Sequence, residues 1–349
     1  MGLPQIIINF RTAGSSAVRR SARGQAVLLA EGEKAELYSF SEAEQAESAG
    51  LAEDCRRLLR LCFLGGPAKV LLYRYPKGEE TAALARCAPA AEGGWLCAPQ
   101  MDAQTVTAFV KSKRAEGRPL RAVVSSETGP DCAGIVNLTT QGITVLLEGK
   151  TESVDTADYC ARIAGILAGL SLRESATYYP LPEVTGFVRS EDEETDIAAG
   201  RLILDQGSEG ARIARAVTSL TTLSQPGDSA FQKIKIAEGV DLIRADIRSV
   251  FESEYVGKVL NDYDSKLLLV TAINSYFAGL EGSVLDTGRR NTAAVDFEAQ
   301  KHWLEGRGVD PAALSDTAIL SANTGSQVFL RANLRFADAM EDLTFEISM

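Results

Sequence analysis

Residues 24–40 read GQAVLLAEGEKAELYSF, a strand, a turn and a second strand. The pattern continues outward from there. Ser41–Leu64 is helical or mixed, and KVLLYRY, 69–75, is a strand set between GGP and PKG. Glu79–Cys87 has helical character, WLCAP is a short strand, and Asp102–Glu116 is a helix spaced through Val106, Phe109 and Val110. LRAVVSSE, 120–127, reads as an apolar strand and GIVNLTTQGITVLLEGK as two more. Thr156–Leu170 reads as an amphipathic helix with Ile163, Ile166 and Leu167 on one side. Strands alternating with helices imply an α/β layer.

TYYPLPEVTGF then brings Pro180 and Pro182, and SEDEETD, 190–196, concentrates acids. This composition shift predicts a domain junction near residue 180. GRLILDQ and ARIARAVTSLTTL beyond it are strand-like. From Phe231 to Leu285 the pattern is helical, with Ile236, Val240, Ile243, Ile247, Val250 and Phe251 at three- and four-residue spacing. Asp264 is the expected cap of a second helix, SKLLLVTAINSYFAGL. Phe297–Gly306 adds a short helix, and VFLRANLRF alternates apolar residues with Arg331, Asn333 and Arg335.

Both ends of the chain read as strands. In MGLPQIIINFRTAG, Ile6, Ile8 and Phe10 alternate with Ile7, Asn9 and Arg11. The stretch after it, SSAVRRSARG, is small, polar and basic through Arg19, Arg20 and Arg23, and reads as an extended linker. At the other end Leu343, Phe345 and Ile347 alternate with Thr344, Glu346 and Ser348. Strands with unpaired amides tend to join another sheet, so the ends suggest an assembly component.

At 349 residues, the chain is long enough for two domains. Its net charge of −11 argues against nucleic acid as the main partner. The longest apolar run, LLLVTAI, is too short for a membrane span, and MGLPQII lacks the features of a secretion signal. Synthesis in the cytoplasm is the expectation. Cys55, Cys62, Cys87, Cys97, Cys132 and Cys160 form no CxxC pair, and with one histidine present a zinc site is not expected. They read as buried hydrophobes in a reducing compartment.

The candidate chemistry is thin. Gly149-Lys150-Thr151 resembles the end of a phosphate loop, but the glycine needed five residues earlier is Thr144. A strand ending in a turn explains it better. GGPAK precedes a strand, whereas a dinucleotide loop follows one. His302 reads as a surface or interface histidine, since no GxSxG elbow accompanies it. The run Glu191–Asp196 lacks the central glycine of a cation loop, and Asp262 with Asp264 reads as a helix entry. The 233–254 helix mixes Lys233, Lys235, Arg244 and Arg248 with Glu238, Asp241 and Asp246. It is either a docking face or an ordinary solvated one with i,i+4 pairs. No catalytic constellation, cofactor or metal site is expected.

YVGKVLNDYDSKLLLVTAINSYFAGLEGSVLD, residues 255–286, resembles the C-terminal region of tail sheath proteins of contractile phages. INFRTAGSSAVRRSARG, FEAQKHWLEGRGVD and ANTGSQVFLRANLRFADAMEDL are similar to the same family, nearest to the short sheaths of phages, phage-like particles and R-type bacteriocins of Gram-positive bacteria. The resemblance implies a mixed α+β and α/β fold in two domains. It places an N-terminal arm and linker at 1–25, an outer α/β domain at 26–180, an inner domain at 181–338 and a C-terminal arm at 339–349. It implies stacked hexameric rings around a tail tube, with arm strands Ile6–Phe10 and Leu343, Phe345 and Ile347 reaching into neighbouring copies. Baseplate and tail terminator proteins are the other implied partners, with no nucleic acid and no membrane. A polar tube contact is implied on an inner-domain helix, carried over to Lys233, Lys235, Arg244, Arg248 and Lys258. The alternative is an α/β enzyme binding a phosphorylated small ligand near residues 142–151.

Overall fold

The computed structural model describes residues 24–225 and 227–348, so the arm strand Ile6–Phe10 and the linker arginines Arg19, Arg20 and Arg23 lie outside the described residues. The first elements are β1 (Gln25–Glu31), β2 (Glu36–Phe40), α1 (Ala43–Ser48), α2 (Glu53–Phe63), β3 (Lys69–Tyr75) and α3 (Glu80–Ala91). They are followed by β4 (Trp95–Cys97), α4 (Ala103–Ala115), β5 (Ala122–Val124) and β6 (Ile135–Leu138). Next come β7 (Ile143–Leu147), β8 (Lys150–Val154), α5 (Thr156–Gly169), β9 (Val184–Gly186), α6 (Glu193–Ala198), β10 (Arg201–Leu202), β11 (Leu204–Gly207) and β12 (Gly210–Ile213). The C-terminal third holds α7 (Ile234–Val250), α8 (Tyr263–Leu280), β13 (Thr292–Val295), α9 (Phe297–Glu305), α10 (Asp316–Leu320) and β14 (Leu330–Asn333). The architecture is mixed α/β.

The chief sheet has seven strands in the order β10-β6-β5-β4-β1-β3-β2. All neighbours are parallel except β2, which pairs antiparallel at the edge. The AVLLA core of β1 follows from this placement. Ala26, Leu28 and Ala30 face a core with Leu58 and Leu59 of α2 and Ile163 and Ile166 of α5. Val27 and Leu29 face the other, with Leu84 of α3 and Val106 and Val110 of α4. A strand covered on both faces is apolar without alternation.

The α5 helix is buried nearly all round, not amphipathic as its spacing suggests. Its buried charge is matched: Arg162 Nε lies 2.6 Å from Glu183 Oε1, and the Tyr159 hydroxyl donates to the same oxygen at 2.7 Å. Burial alone would raise the Glu183 carboxyl, but the Arg162 hydrogen bond and charge outweigh it and hold it below its ordinary value. Glycines let α5 approach α2 backbone to backbone. A Cβ on Gly165 would stand 1.9 Å from the Cys62 carbonyl oxygen, and one on Gly169 would stand 2.0 Å from that of Gly65.

In open parallel sheets, ligands sit beyond the carboxyl ends of the strands where the strand order reverses. Here β3 and β4 flank β1. At the carboxyl end of β1, Gln100 accepts from the Glu31 backbone, and a separate cleft lined by Met101, Val106 and Val124, by the ends of β4 and β5, holds only about 20 Å³. The 142–151 segment is a hairpin, with Glu148 and Gly149 at φ of 50° and 78° in its turn. Two left-handed residues between paired strands make a tight hairpin turn, not a cradle of amides.

Contacts divide the described residues into two compact units, 24–245 with 338–348, and 246–337. The junction expected near residue 180 is therefore displaced. β10 extends the large sheet and β9 pairs with β7, so 181–245 belong to the first unit. Pro180 and Pro182 mark a turn within that unit, where Pro180 bridges Arg212. The strand reading of ARIARAVTSLTTL holds only through Ile213; the rest is irregular. Asp262, not Asp264, caps α8, accepting from Ser265 N at 2.8 Å.

Gly165→Ala forces the two helix backbones apart. The expected loss is about 3 kcal/mol or more, measured by denaturant unfolding.

Candidate assembly interface

In the second unit, β13 and β14 pair antiparallel from Thr292↔Asn333 to Val295↔Leu330 and form a two-stranded sheet among the described residues. Two strands of this length are marginal by themselves, so other groups must hold them. Asn274 of α8 does so. Its Oδ1 accepts from Ala293 N at 2.6 Å and its Nδ2 donates to Ala293 O at 3.1 Å. The outer edge of β13 is thereby occupied at its centre. Ala332 lies opposite Ala293, and in this pair the backbone groups point away from the partner strand. The N–H and C=O of Ala332 therefore face outward on β14, where no strand pairs among the described residues. β14 is exposed from Arg331 to Asn333. Among the described residues, the result is one braced edge and one open edge.

A buried lysine braces the same unit. Lys266 of α8 is 2 % exposed, and its ammonium donates to Gln300 Oε1 at 2.9 Å, Ala322 O at 3.0 Å and Thr324 Oγ1 at 3.2 Å. It ties α8 to α9 and to the loop before β14. Burial lowers its pKa, with Asp262 acting weakly in the opposite sense. Sequence reasoning passed over both Lys266 and Asn274. The available signal was their spacing: two polar residues eight apart on the helical stripe that also carries Ile273, Phe277 and Leu280.

The C-terminal segment departs from its expected strand. Residues 338–348 form no strand, and Leu343, Phe345 and Ile347 are 89 %, 74 % and 75 % exposed. The alternating pattern joins no sheet among the described residues. The second unit also exposes Val256, Val259, Leu260, Leu267 and Leu268, an apolar surface of the sort that marks an interface.

The basic residues of the α7 region separate into two groups. Lys233 is paired with Asp338, and Lys235 donates to Leu172 O at 2.6 Å. Arg244 is exposed, Arg248 is exposed and pairs with Glu252 at 2.7 Å, and Lys258 bonds the Ser253 carbonyl. The acids of α7 are not solvated. Asp241, 2 % exposed, takes a two-pronged contact from Arg114 at 2.6 and 3.0 Å, and Glu238 pairs with buried Arg121.

The remaining candidates have structural explanations. His302 lies on the surface of α9, 91 % exposed beside Glu305. Asp192 caps α6, and Asp196 pairs with Arg201 at 2.7 Å. All six cysteines are free and buried, as expected, and desolvation pushes the Cys62 thiol up to about 12 and Cys87 to about 11. No described group of His, Cys, Asp and Glu could hold a metal.

Residues 227–349 match the phage tail sheath C-terminal domain. Over the whole chain and 99% of its counterpart, the sequence is 29% identical to the tail sheath protein of Clostridium phage phiCD119. The tail sheath protein of Staphylococcus phage Twort is 27% identical over 190 residues, covering 48% of this chain and 32% of that one. The solved sheath tail protein of Listeria innocua aligns with a TM-score of 0.66 at 16% identity, over 85% of this chain and 94% of its own. The helical sheath of the anti-feeding prophage in its contracted state aligns equally well, with a TM-score of 0.66 at 14% identity over 94% and 93% of the two chains.

Lys266→Met is the test of the brace. A lysine with a lowered folded pKa binds its proton more weakly in the fold than in the unfolded chain. Its burial penalty therefore disappears as pH rises from the folded pKa toward the ordinary lysine value. The stability difference between the natural chain and Lys266→Met should shift in favour of the natural chain across that alkaline window, as read from urea midpoints at several pH values.

Proposed function

We infer that this chain, a relative of phage tail sheath proteins along its entire length, is the structural subunit of a contractile tail sheath. The observation that carries this is the full-length match to a tail sheath protein, joined to a sheet whose β14 edge has no partner strand among the described residues. The chain polymerises around a tail tube and contracts to drive the tube through a target envelope. It is a mechanical component, and the tight hairpin turn at Glu148–Gly149 gives the phosphorylated-ligand alternative near residues 142–151 no support.

The arms act by strand addition. Ile6, Ile7, Ile8, Asn9 and Phe10 of one copy, or Leu343, Phe345 and Ile347, lie along the outer edge of β14 in another. Main-chain bonds supply the affinity, and alternate side chains supply the register. A head-to-tail contact of this kind propagates into stacked rings or helices. The unit 246–337 with the arms would be the inner part of the sheath, and the seven-stranded sheet the outer part. Of the basic residues considered for the tube, Arg244, Arg248 and Lys258 are the ones at the surface. Lys233 and Lys235 are engaged within their own unit. Baseplate and terminator proteins would close the polymer at its ends, in a virion or a tail-like particle assembled in the host cytoplasm.

Contraction needs no nucleotide in this reading. Assembly traps the subunits in an extended lattice, and a second packing of the same rigid bodies lies lower in energy. Deleting residues 1–14 should leave a folded, soluble chain that forms no tubes by electron microscopy. Ala332→Pro removes an outward amide from the open edge without touching the β13–β14 ladder. It should give a chain of unchanged circular dichroism whose polymers are absent in negative stain; normal tubes would sink the edge assignment.

A further inference from the structure

The C-terminal segment changes character within two residues. Glu341 has a side chain only 9 % exposed, while Leu343 is 89 % exposed. What holds the root is entirely polar. Ser175 and Thr177 hydroxyls donate to Glu341 Oε1 at 2.7 and 2.8 Å, and Arg215 Nε lies 3.3 Å from its Oε2. Arg215 also reaches Asp342 at 2.6 Å, and Lys233 pairs with Asp338. Met340 lies between these anchors and is wholly exposed, so apolar burial contributes nothing there.

The receiving side is built. Ser175 Oγ stands 3.1 Å from Thr177 Oγ1 and accepts from Thr177 N at 3.2 Å, and Thr177 Oγ1 accepts from Ala216 N at 3.0 Å. Two hydroxyls and a guanidinium thus stand fixed around one carboxylate. Charge-assisted bonds at a partly desolvated site are the strong kind. The segment crosses a groove of about 850 Å³ bordered by Leu170, Tyr178 and Pro180. The chain enters the same unit beside it, where Gly24 N bonds Ala168 O.

We propose that Asp338, Glu341 and Asp342 form a latch that clamps the root of the C-terminal tail to residues 175–233 of its own subunit, presenting Leu343, Phe345 and Ile347 to a second copy. The latch lets the anchored chain end at a fixed point while the apolar tip stays uncommitted. A tail that starts from a fixed point loses less conformational freedom when a neighbour takes it, which lowers the concentration needed for association. The latch itself is a statement about the single subunit; its purpose rests on the sheath reading above.

A nitroxide label on Met340→Cys tests it in the unpolymerised full-length chain, because the six natural cysteines are buried. The label should report a restrained tail, and Glu341→Gln or Arg215→Ala should each convert it to the mobile spectrum. Glu341→Gln keeps the size and the acceptor oxygen, so the result does not depend on a misfolded variant. Equal mobility with and without these substitutions overturns the latch. By sedimentation, the critical concentration for polymer should rise about tenfold in Glu341→Gln, the cost of roughly 1.4 kcal/mol in presentation. A mobile tail with an unchanged critical concentration overturns the presentation role. A natural chain that never polymerises sinks the sheath reading instead, and the label spectra still decide the latch.

Discussion

A backbone edge with no partner strand among the described residues governs the second unit. β13 and β14 are four residues each, too short to persist without help. The help comes from one side. Asn274 satisfies Ala293 in both directions, and Lys266 fixes α8 against α9 and the loop leading into β14. Bracing one edge with side chains leaves the other as a rigid row of donors and acceptors. A soluble protein ordinarily blunts such an edge. On the sheath reading proposed above, β14 keeps it as a short exposed strand, with Arg331 discouraging indiscriminate pairing.

A parallel sheet with helices on both faces often carries a ligand at its strand-order reversal. Here Gln100 takes a hydrogen bond from the end of β1 at that position. The buried ion pairs serve the frame as well: Arg162 with Glu183, Arg114 with Asp241, and Arg121 with Glu238 join helices and strands distant in sequence. Buried pairs contribute little net stability but penalise alternative packings, since either partner left alone is costly. A body with few acceptable packings transmits load without deforming, which is what a sheath subunit requires.

Sequence patterning revealed the elements better than their grouping. The alternating strand and helix series from Gln25 to Gly169 follows the observed order apart from the mostly exposed β8, which it lacks, because burial on one or two faces writes directly into residue spacing. Pro180 and Pro182 suggested a domain break, yet prolines report only that the chain turns. Whether the next strand returns to the same sheet, as β10 does beside β6, depends on pairing that no local pattern encodes. The α5 helix was misread for a related reason: Arg162 suggests a wet face until Glu183, twenty-one residues on, is seen to bury it. At the tail, Leu343, Phe345 and Ile347 carry a legible strand signal, and they form no strand among the described residues. On the sheath reading proposed above, the pattern records the assembly.

The polarity of the C-terminal segment bears on how such an assembly could move without coming apart. Apolar packing between rigid bodies is sensitive to small displacements, since a radial gap below an ångström forfeits a quarter to a half of the contact energy. Main-chain bonds of an added strand travel with the strand. Each contributes about 0.5–1.5 kcal/mol net, so an arm of five residues holds by several kcal/mol whatever the bodies do. The proposed division of labour follows: strand addition keeps copies joined, rigid sheets exchange one packing for another, and the polar root at Glu341 sets where the connecting segment begins. A polar root tolerates reorientation better than a buried apolar one would, because hydroxyls and a guanidinium can follow a carboxylate over small angles. Its strength then lies in position, and the force is carried by the strands beyond it.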